Sequence, residues 1–148
     1  MIVVLMTLGC VNDSPSKEIS GEEEASFLNN EACTEERLTE HGGMSRRYFV
    51  HVPQNIPVGS PLVVVMHGYT GSAEGIMEYS AMNELADRNG FVVLYPQGTR
   101  DQYGYSFFNV GYDFHVNSGV DDLGFVLHAV EEIQEEYLLS DDVFAVAL

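Results

Sequence analysis

Two unbroken aliphatic runs, Leu62-Val63-Val64-Val65-Met66 and Phe91-Val92-Val93-Leu94-Tyr95, stand out against a chain whose apolar residues otherwise alternate or recur at helical spacing. Runs of this length between turn residues predict strands covered on both faces, as in a parallel sheet. Arg46-Arg47-Tyr48-Phe49-Val50-His51-Val52-Pro53 alternates and is rich in β-branched and aromatic residues, which predicts a further strand ended by Pro53. Gln54 to Ser60, with Pro57 and Gly59, reads as a turn. Between the aliphatic runs, Ser80 to Asn89 carries Met82, Leu85 and Ala86 at helical spacing, with Ser80 as N-cap and Gly90 as the stop. A longer helix follows, in which Leu123, Val126, Leu127, Val130, Ile133 and Tyr137 form the expected buried stripe and Glu131, Glu132, Glu135 and Glu136 the wet one. Asp121 and Asp122 stand at its start, where carboxylates cap free N–H groups and oppose the helix dipole. Phe144 to Leu148 begins another buried strand. Strands alternating with helices imply a parallel sheet with right-handed crossovers, a three-layer α/β architecture.

Composition places limits on this picture. A chain of 148 residues with 45% apolar residues, eight Phe and eight Tyr is enough for one domain with a core. Its formal net charge of −17 repels phosphate backbones and removes the electrostatic basis of nucleic-acid binding. The acids cluster early: Asp13, Glu18, Glu22, Glu23, Glu24, Glu31, Glu35, Glu36 and Glu40 face only Lys17 and Arg37. Residues 11–44 are therefore expected to be a solvated linker, and residues 45–148 the folded part. The acids lack the spacing of a calcium loop, so no metal is expected.

Residues 1–10 form an apolar run closing in Gly9-Cys10, which resembles the end of a bacterial lipoprotein signal in which Cys10 is lipidated. The run has no basic start and is short for a signal peptide, so the true start is expected upstream. It is also too short to span a bilayer, which takes about 20 apolar residues. Spacing leaves two uses for the chain's only cysteines, Cys10 and Cys33: a lipid on Cys10 with Cys33 free or paired elsewhere, or a Cys10–Cys33 disulfide.

The chemistry centres on His67-Gly68-Tyr69-Thr70-Gly71, directly after the first aliphatic run. A buried strand ending in a glycine-rich turn can present backbone donors to a substrate, which reads as half of an oxyanion hole. This turn, with Arg47-Tyr48 to Pro53, Leu85-Ala86-Asp87, Gly90-Phe91-Val92-Val93-Leu94-Tyr95-Pro96-Gln97-Gly98 and Val120-Asp121-Asp122-Leu123-Gly124-Phe125, resembles the α/β-hydrolase esterases of the polyhydroxybutyrate depolymerase and feruloyl esterase type. The resemblance runs from about Arg46 to Leu148. It implies the first part of an α/β-hydrolase fold and a secreted serine ester hydrolase, acting on a polyester or on feruloyl or acetyl esters. It also implies a nucleophile in a Gly-x-Ser-x-Gly turn after the strand at Val143–Leu148, with Asp and His later in the chain. No Gly-x-Ser-x-Gly occurs in residues 1–148. The expectation is a fragment, inactive alone, that contributes the Tyr69 backbone N–H through a loop built by His67, Gly68 and Gly71. In such a turn His67 is expected to order the loop, since a base needs a nucleophile within hydrogen-bond reach.

Other residues are candidates for the same site. Ser72 follows the glycine turn but lacks the flanking glycines of a nucleophile elbow, and is expected to satisfy local backbone groups. The aromatic group Tyr103, Tyr105, Phe107, Phe108, Tyr112 and Phe114 reads equally as loop packing and as a platform for an aromatic, sugar or polyester substrate, with Tyr103, Tyr105 and Phe108 as binding candidates. His115 and His128 have no partner pattern. No cofactor is expected; the partner is an ester substrate, polymeric or polysaccharide-linked, and the location extracellular or the cell surface, with membrane anchoring through a lipid on Cys10. The alternative is a non-catalytic surface lipoprotein that binds carbohydrate or a protein partner.

Overall fold

The computed structural model describes residues 31–111 and 119–147. Its main sheet has five strands, β1 (Cys33–His41), β2 (Met44–Val52), β3 (Leu62–Met66), β4 (Val92–Pro96) and β7 (Val143–Ala147), in the order β1-β2-β4-β3-β7. A two-stranded ribbon, β5 (Thr99–Arg100) with β6 (Ser106–Phe107), stands apart from it. The sheet is mixed: β4, β3 and β7 pair in parallel, while β1 and β2 join the β4 edge antiparallel. The two aliphatic runs are thus the central parallel pair, the location that their polarity predicts.

Three layers follow from the alternation of side chains along these strands. Leu62 and Val64 of β3, with Val92 and Leu94 of β4, turn to one face and pack on α3 (Asp122–Glu136) through Phe125, Ala129, Val130, Ile133 and Tyr137. Val63, Val65, Val93 and Tyr95 turn to the other face, against α1 (Ala73–Ser80) and α2 (Met82–Asn89) through Ala73, Ile76 and Ala86.

Several expectations change here. The sheet does not begin at residue 45: Cys33–His41 lies inside the expected linker yet pairs along its whole length with Met44–Val52. Its alternation is polar on polar, because charged side chains protect an edge strand from pairing with other chains. One face of β1 nevertheless has partners, since Arg37 binds Glu136 of α3 and its C-cap Tyr137, and Thr39 meets Glu132. On the other face the Thr34 hydroxyl is hydrogen-bonded to His51 Nδ1 at 2.7 Å, and His51 Nε2 donates to Asp87 of α2 at 2.9 Å, tying β1 through β2 to that helix.

The segment after the glycine turn holds two helices rather than one. Ser80 ends α1, and Ala81, in the left-handed region at φ 52°, separates it from α2; Gly90 stops α2 as expected. In α3 the inward stripe is Phe125-Ala129-Ile133 with Val130 and Tyr137, and Leu123 and Leu127 are 70% and 53% exposed. Asp121 is the N-cap, accepting from Gly124 N–H, whereas Asp122 turns inward. Strand β7 pairs with β3 in parallel, as expected, but Phe144 is 58% exposed rather than buried. Among the described residues β7 has a strand on one side only, so its side chains lack neighbours. Residues 1–30, including the signal-like segment and Cys10, lie outside the described residues, as do Tyr112, Phe114, His115 and Leu148.

Candidate active site

The parallel strands β3 and β4 end on the same side of the sheet, so the turns that follow them, His67–Ser72 and Gln97–Gly98, are neighbours. His67 is buried between them and uses both ring nitrogens. Gly98 N–H donates to Nε2 at 3.1 Å, which makes Nε2 an unprotonated acceptor; the ring proton then sits on Nδ1, which donates to the Gly68 carbonyl at 2.8 Å. Gly71 N–H donates to the same carbonyl at 3.1 Å. Because a trans peptide is planar, these two bonds fix the direction of the Tyr69 N–H, which points opposite to the Gly68 carbonyl.

Three glycines are used differently in this turn and its neighbour. At Gly71 a Cβ would come within 3.1 Å of both the Gly68 oxygen and the His67 Cβ. At Gly98, in the neighbouring turn, a Cβ would lie 2.2 Å from the Phe107 carbonyl oxygen, so only glycine lets that turn lie against β6. Gly68 meets its neighbours through its carbonyl. Thr70 takes the left-handed conformation at φ 69°, unusual for a β-branched residue, and its N–H donates to the Ser106 carbonyl at 2.9 Å. Ser72 caps α1 by accepting from Gly75 N–H at 3.0 Å.

The β5–β6 ribbon forms the rim of this turn. Asp101 accepts the Tyr103 and Tyr105 N–H groups through Oδ1, at 2.8 and 2.9 Å, and the Tyr69 hydroxyl through Oδ2 at 2.7 Å. That acceptor raises the Tyr69 phenol to about 12, since ionising it would set two anions side by side. The Tyr105 ring meets Tyr69 edge-on at 5.8 Å, and the Phe108 ring lies 4.8 Å from His67. Tyr103 projects at the tip of the ribbon, 73% exposed. The structure therefore brings His67, Gly68, Tyr69, Gly71, Tyr105 and Phe108 together, with Tyr103 on the same ribbon.

Behind the site lies a buried ion pair. Arg46 of β2 binds Asp122, with both side chains 3% exposed or less, and stacks its guanidinium 4.0 Å over the Phe125 ring. Asp122 also accepts Asn109 N–H, so this pair anchors the segment after Phe108. Sequence reading missed Gln97, Asp101 and this role of Asp122. The Pro96-Gln97-Gly98 turn directly after a buried strand was the available signal for Gln97; for the other two, chain spacing carried none. Among the described residues no cluster of His, Cys, Asp and Glu could hold a metal. Cys33 is disulfide-bonded, and the chain's other cysteine, Cys10, is among the undescribed residues.

A mixed sheet with helices on both faces and a glycine turn at the end of a central parallel strand is the architecture of the first part of an α/β-hydrolase fold. Solved hydrolases share the architecture: a fluorophosphonate-binding serine hydrolase of Staphylococcus aureus (TM-score 0.57, 16% identity, 79% of this chain and 47% of that one) and an acetyl xylan esterase of Aspergillus awamori (TM-score 0.53, 17% identity, 76% and 42%). The chain belongs to the esterase PHB depolymerase family, whose sequence profile matches residues 47–144. Similar curated proteins include NocK, a candidate esterase of Nocardia uniformis subsp. tsuyamanensis, 33% identical over 79 residues (51% of this chain, 23% of that one). Acetylxylan esterase A of Talaromyces purpureogenus is 37% identical over 49 residues, 33% of this chain and 13% of that one. The chain thus spans a quarter or less of these relatives and under half of the solved structures.

Proposed function

We propose that this chain contributes the first oxyanion donor of a serine ester hydrolase, through the backbone N–H of Tyr69. The observation that carries the reading is the Gly68 carbonyl held by His67 Nδ1 and Gly71 N–H, which orients the amide on the same peptide unit before any substrate arrives. A preorganised donor of this kind stabilises the charge that develops on the ester oxygen, and one such donor contributes roughly 10²–10³ in rate. The nucleophile, its base and the second donor come from chain outside residues 1–148, because this stretch contains no Gly-x-Ser-x-Gly turn and the family's members carry one. Residues 1–148 alone turn over no ester at a rate an intact triad would give.

The contacts of Tyr105 with Tyr69 and of Phe108 with His67, with Tyr103 on the same ribbon, support a platform for a flat or ring-bearing acyl or alcohol group. Acetylated polysaccharide is the leading substrate class, supported by the relatives' names, with feruloyl and hydroxyalkanoate esters next. The Cys33 disulfide supports export to an oxidising compartment. A thioether lipid on Cys10 would anchor the protein instead, and intact mass before and after reduction distinguishes the two uses of that thiol.

The deciding experiment is to read the genomic sequence on both sides of this reading frame and assay the full product on p-nitrophenyl acetate, acetylated xylan, feruloyl esters and hydroxybutyrate oligomers. An elbow serine with later Asp and His, and turnover abolished by Ser→Ala, is expected. A frame without them, and no turnover, overturns the reading in favour of a non-catalytic binding protein.

A further inference from the structure

The donor loop runs from His67 to Ala73, and one side chain touches it at both ends. Gln97 Oε1 accepts the N–H of Ala73, the first residue of α1, at 2.9 Å. Its Nε2 donates to the Gly98 carbonyl at 3.0 Å and lies 3.2 Å from His67 Nε2. These partners fix which end of the amide is which: the oxygen faces an N–H, and the NH₂ group faces a carbonyl and a ring lone pair. We propose that Gln97 is the positioning residue for the Tyr69 donor, reinforcing the His67 tautomer that Gly98 N–H selects and setting the span of the loop. The inference rests on the Tyr69 amide being the oxyanion donor, and it adds the residue that keeps that amide aimed.

The argument runs through hydrogen-bonding capacity. A neutral imidazole has one donor and one acceptor. With Gly98 N–H and Gln97 Nε2 both presented to Nε2, only the Nδ1–H tautomer avoids donor against donor. That tautomer alone lets Nδ1 hold the Gly68 carbonyl. At the far end Ala73 N–H is one of the four orphan donors of a helix start, and it goes to Gln97 while the Ser72 hydroxyl accepts from Gly75. Gln97 therefore closes a bracket across six peptide bonds, and no other side chain among the described residues reaches both ends.

The test reads ring protonation and loop opening in the full chain, labelled with ¹⁵N-histidine. In the unaltered protein His67 should show a protonated Nδ1 and an unprotonated Nε2. Gln97→Glu keeps an acceptor for Ala73 but sets an anionic oxygen against the Nε2 lone pair. His67 Nε2 should then take up a proton at neutral pH and release the Gly98 N–H, and amides 68–71 should exchange roughly tenfold faster, as expected for losing one buried hydrogen bond. Val63–Val65 and Val93–Leu94 should exchange as before. Gln97→Ala, which removes both contacts without adding charge, gives the loop readout if the glutamate variant does not fold. An unaltered protein with its proton on Nε2, or a Gln97 variant with unchanged ring protonation and loop exchange, overturns the proposal. Neither readout depends on turnover, so the failure of ester hydrolysis and the failure of this bracket are separately visible.

Discussion

At Asp122 a single carboxylate joins three parts of the molecule: it neutralises Arg46, fixes Phe125 through the guanidinium stacked above the ring, and receives Asn109 N–H. Removing its charge leaves a buried guanidinium without a counter-ion, and breaking such a pair costs about 3–5 kcal/mol. Asp122→Asn should lower the urea midpoint accordingly, while the neighbouring Asp121→Asn, at an exposed cap, costs about 1 kcal/mol or less. Equal losses in the two variants would show that the buried pair is no more than a surface contact. The two adjacent acids look identical in sequence, and only the 76-residue reach to Arg46 separates them. Tyr69 offers a second residue-scale test. Its phenol is raised, so the neutral form is the one that folding favours; the benefit is complete below pH about 10, the ordinary tyrosine value, and is lost as pH climbs through about 12. Tyrosinate absorbance should follow that course, and Asp101→Asn should return one tyrosine towards the ordinary range. Tyr95, which burial also lifts to about 12, should not move in that variant.

The helices show where pattern alone gives a clear answer and where it does not. In α3 two apolar stripes are interleaved, Leu123-Leu127 and Phe125-Ala129-Ile133, with Val126 and Val130 between them. Helical periodicity identifies the helix but not which stripe meets the sheet, because both have the right spacing; the Arg46 stacking on Phe125 decides it. Phe125→Ala should cost about 3–5 kcal/mol and Leu127→Ala within about 0.5 kcal/mol in chemical denaturation. The reverse order would put the buried face where the periodicity first suggested. The α1–α2 junction was invisible for another reason: its break is a backbone conformation, and alanine is a residue that normally continues a helix. Ala81 is exposed and left-handed, so Ala81→Gly should raise stability by about 1 kcal/mol, the cost of that conformation to an L side chain. Strand β1 was missed because both its faces are polar, which a period-2 hydrophobic signal cannot register.

For the whole molecule, the central parallel strands and their crossovers were legible because burial on both faces writes an aliphatic run directly into the sequence. Strand β1 and the ribbon beside Asp101 were not: β1 is held by hydrogen bonds and ion pairs to distant residues, and the ribbon's two-residue strands are too short to show an alternation. Those ion pairs also set up a whole-molecule contest. Salt weakens Arg37–Glu136, Arg47–Glu74 and Arg88–Glu84, of which the exposed Arg88–Glu84 pair is worth no more than about 1 kcal/mol. Salt equally screens the repulsion among 23 acids opposed by six bases. With a net charge of −17, most carboxylates have no cation to pair with, so repulsion is the larger sum and screening should win. Raising sodium chloride from about 10 mM, where the Debye length is about 30 Å, to about 0.5 M should therefore raise the melting temperature by a few degrees. A fall in melting temperature would mean that the bridges from Arg37 and Arg47, which fasten the outer hairpin to α3 and α1, hold more of the fold than the excess acids oppose.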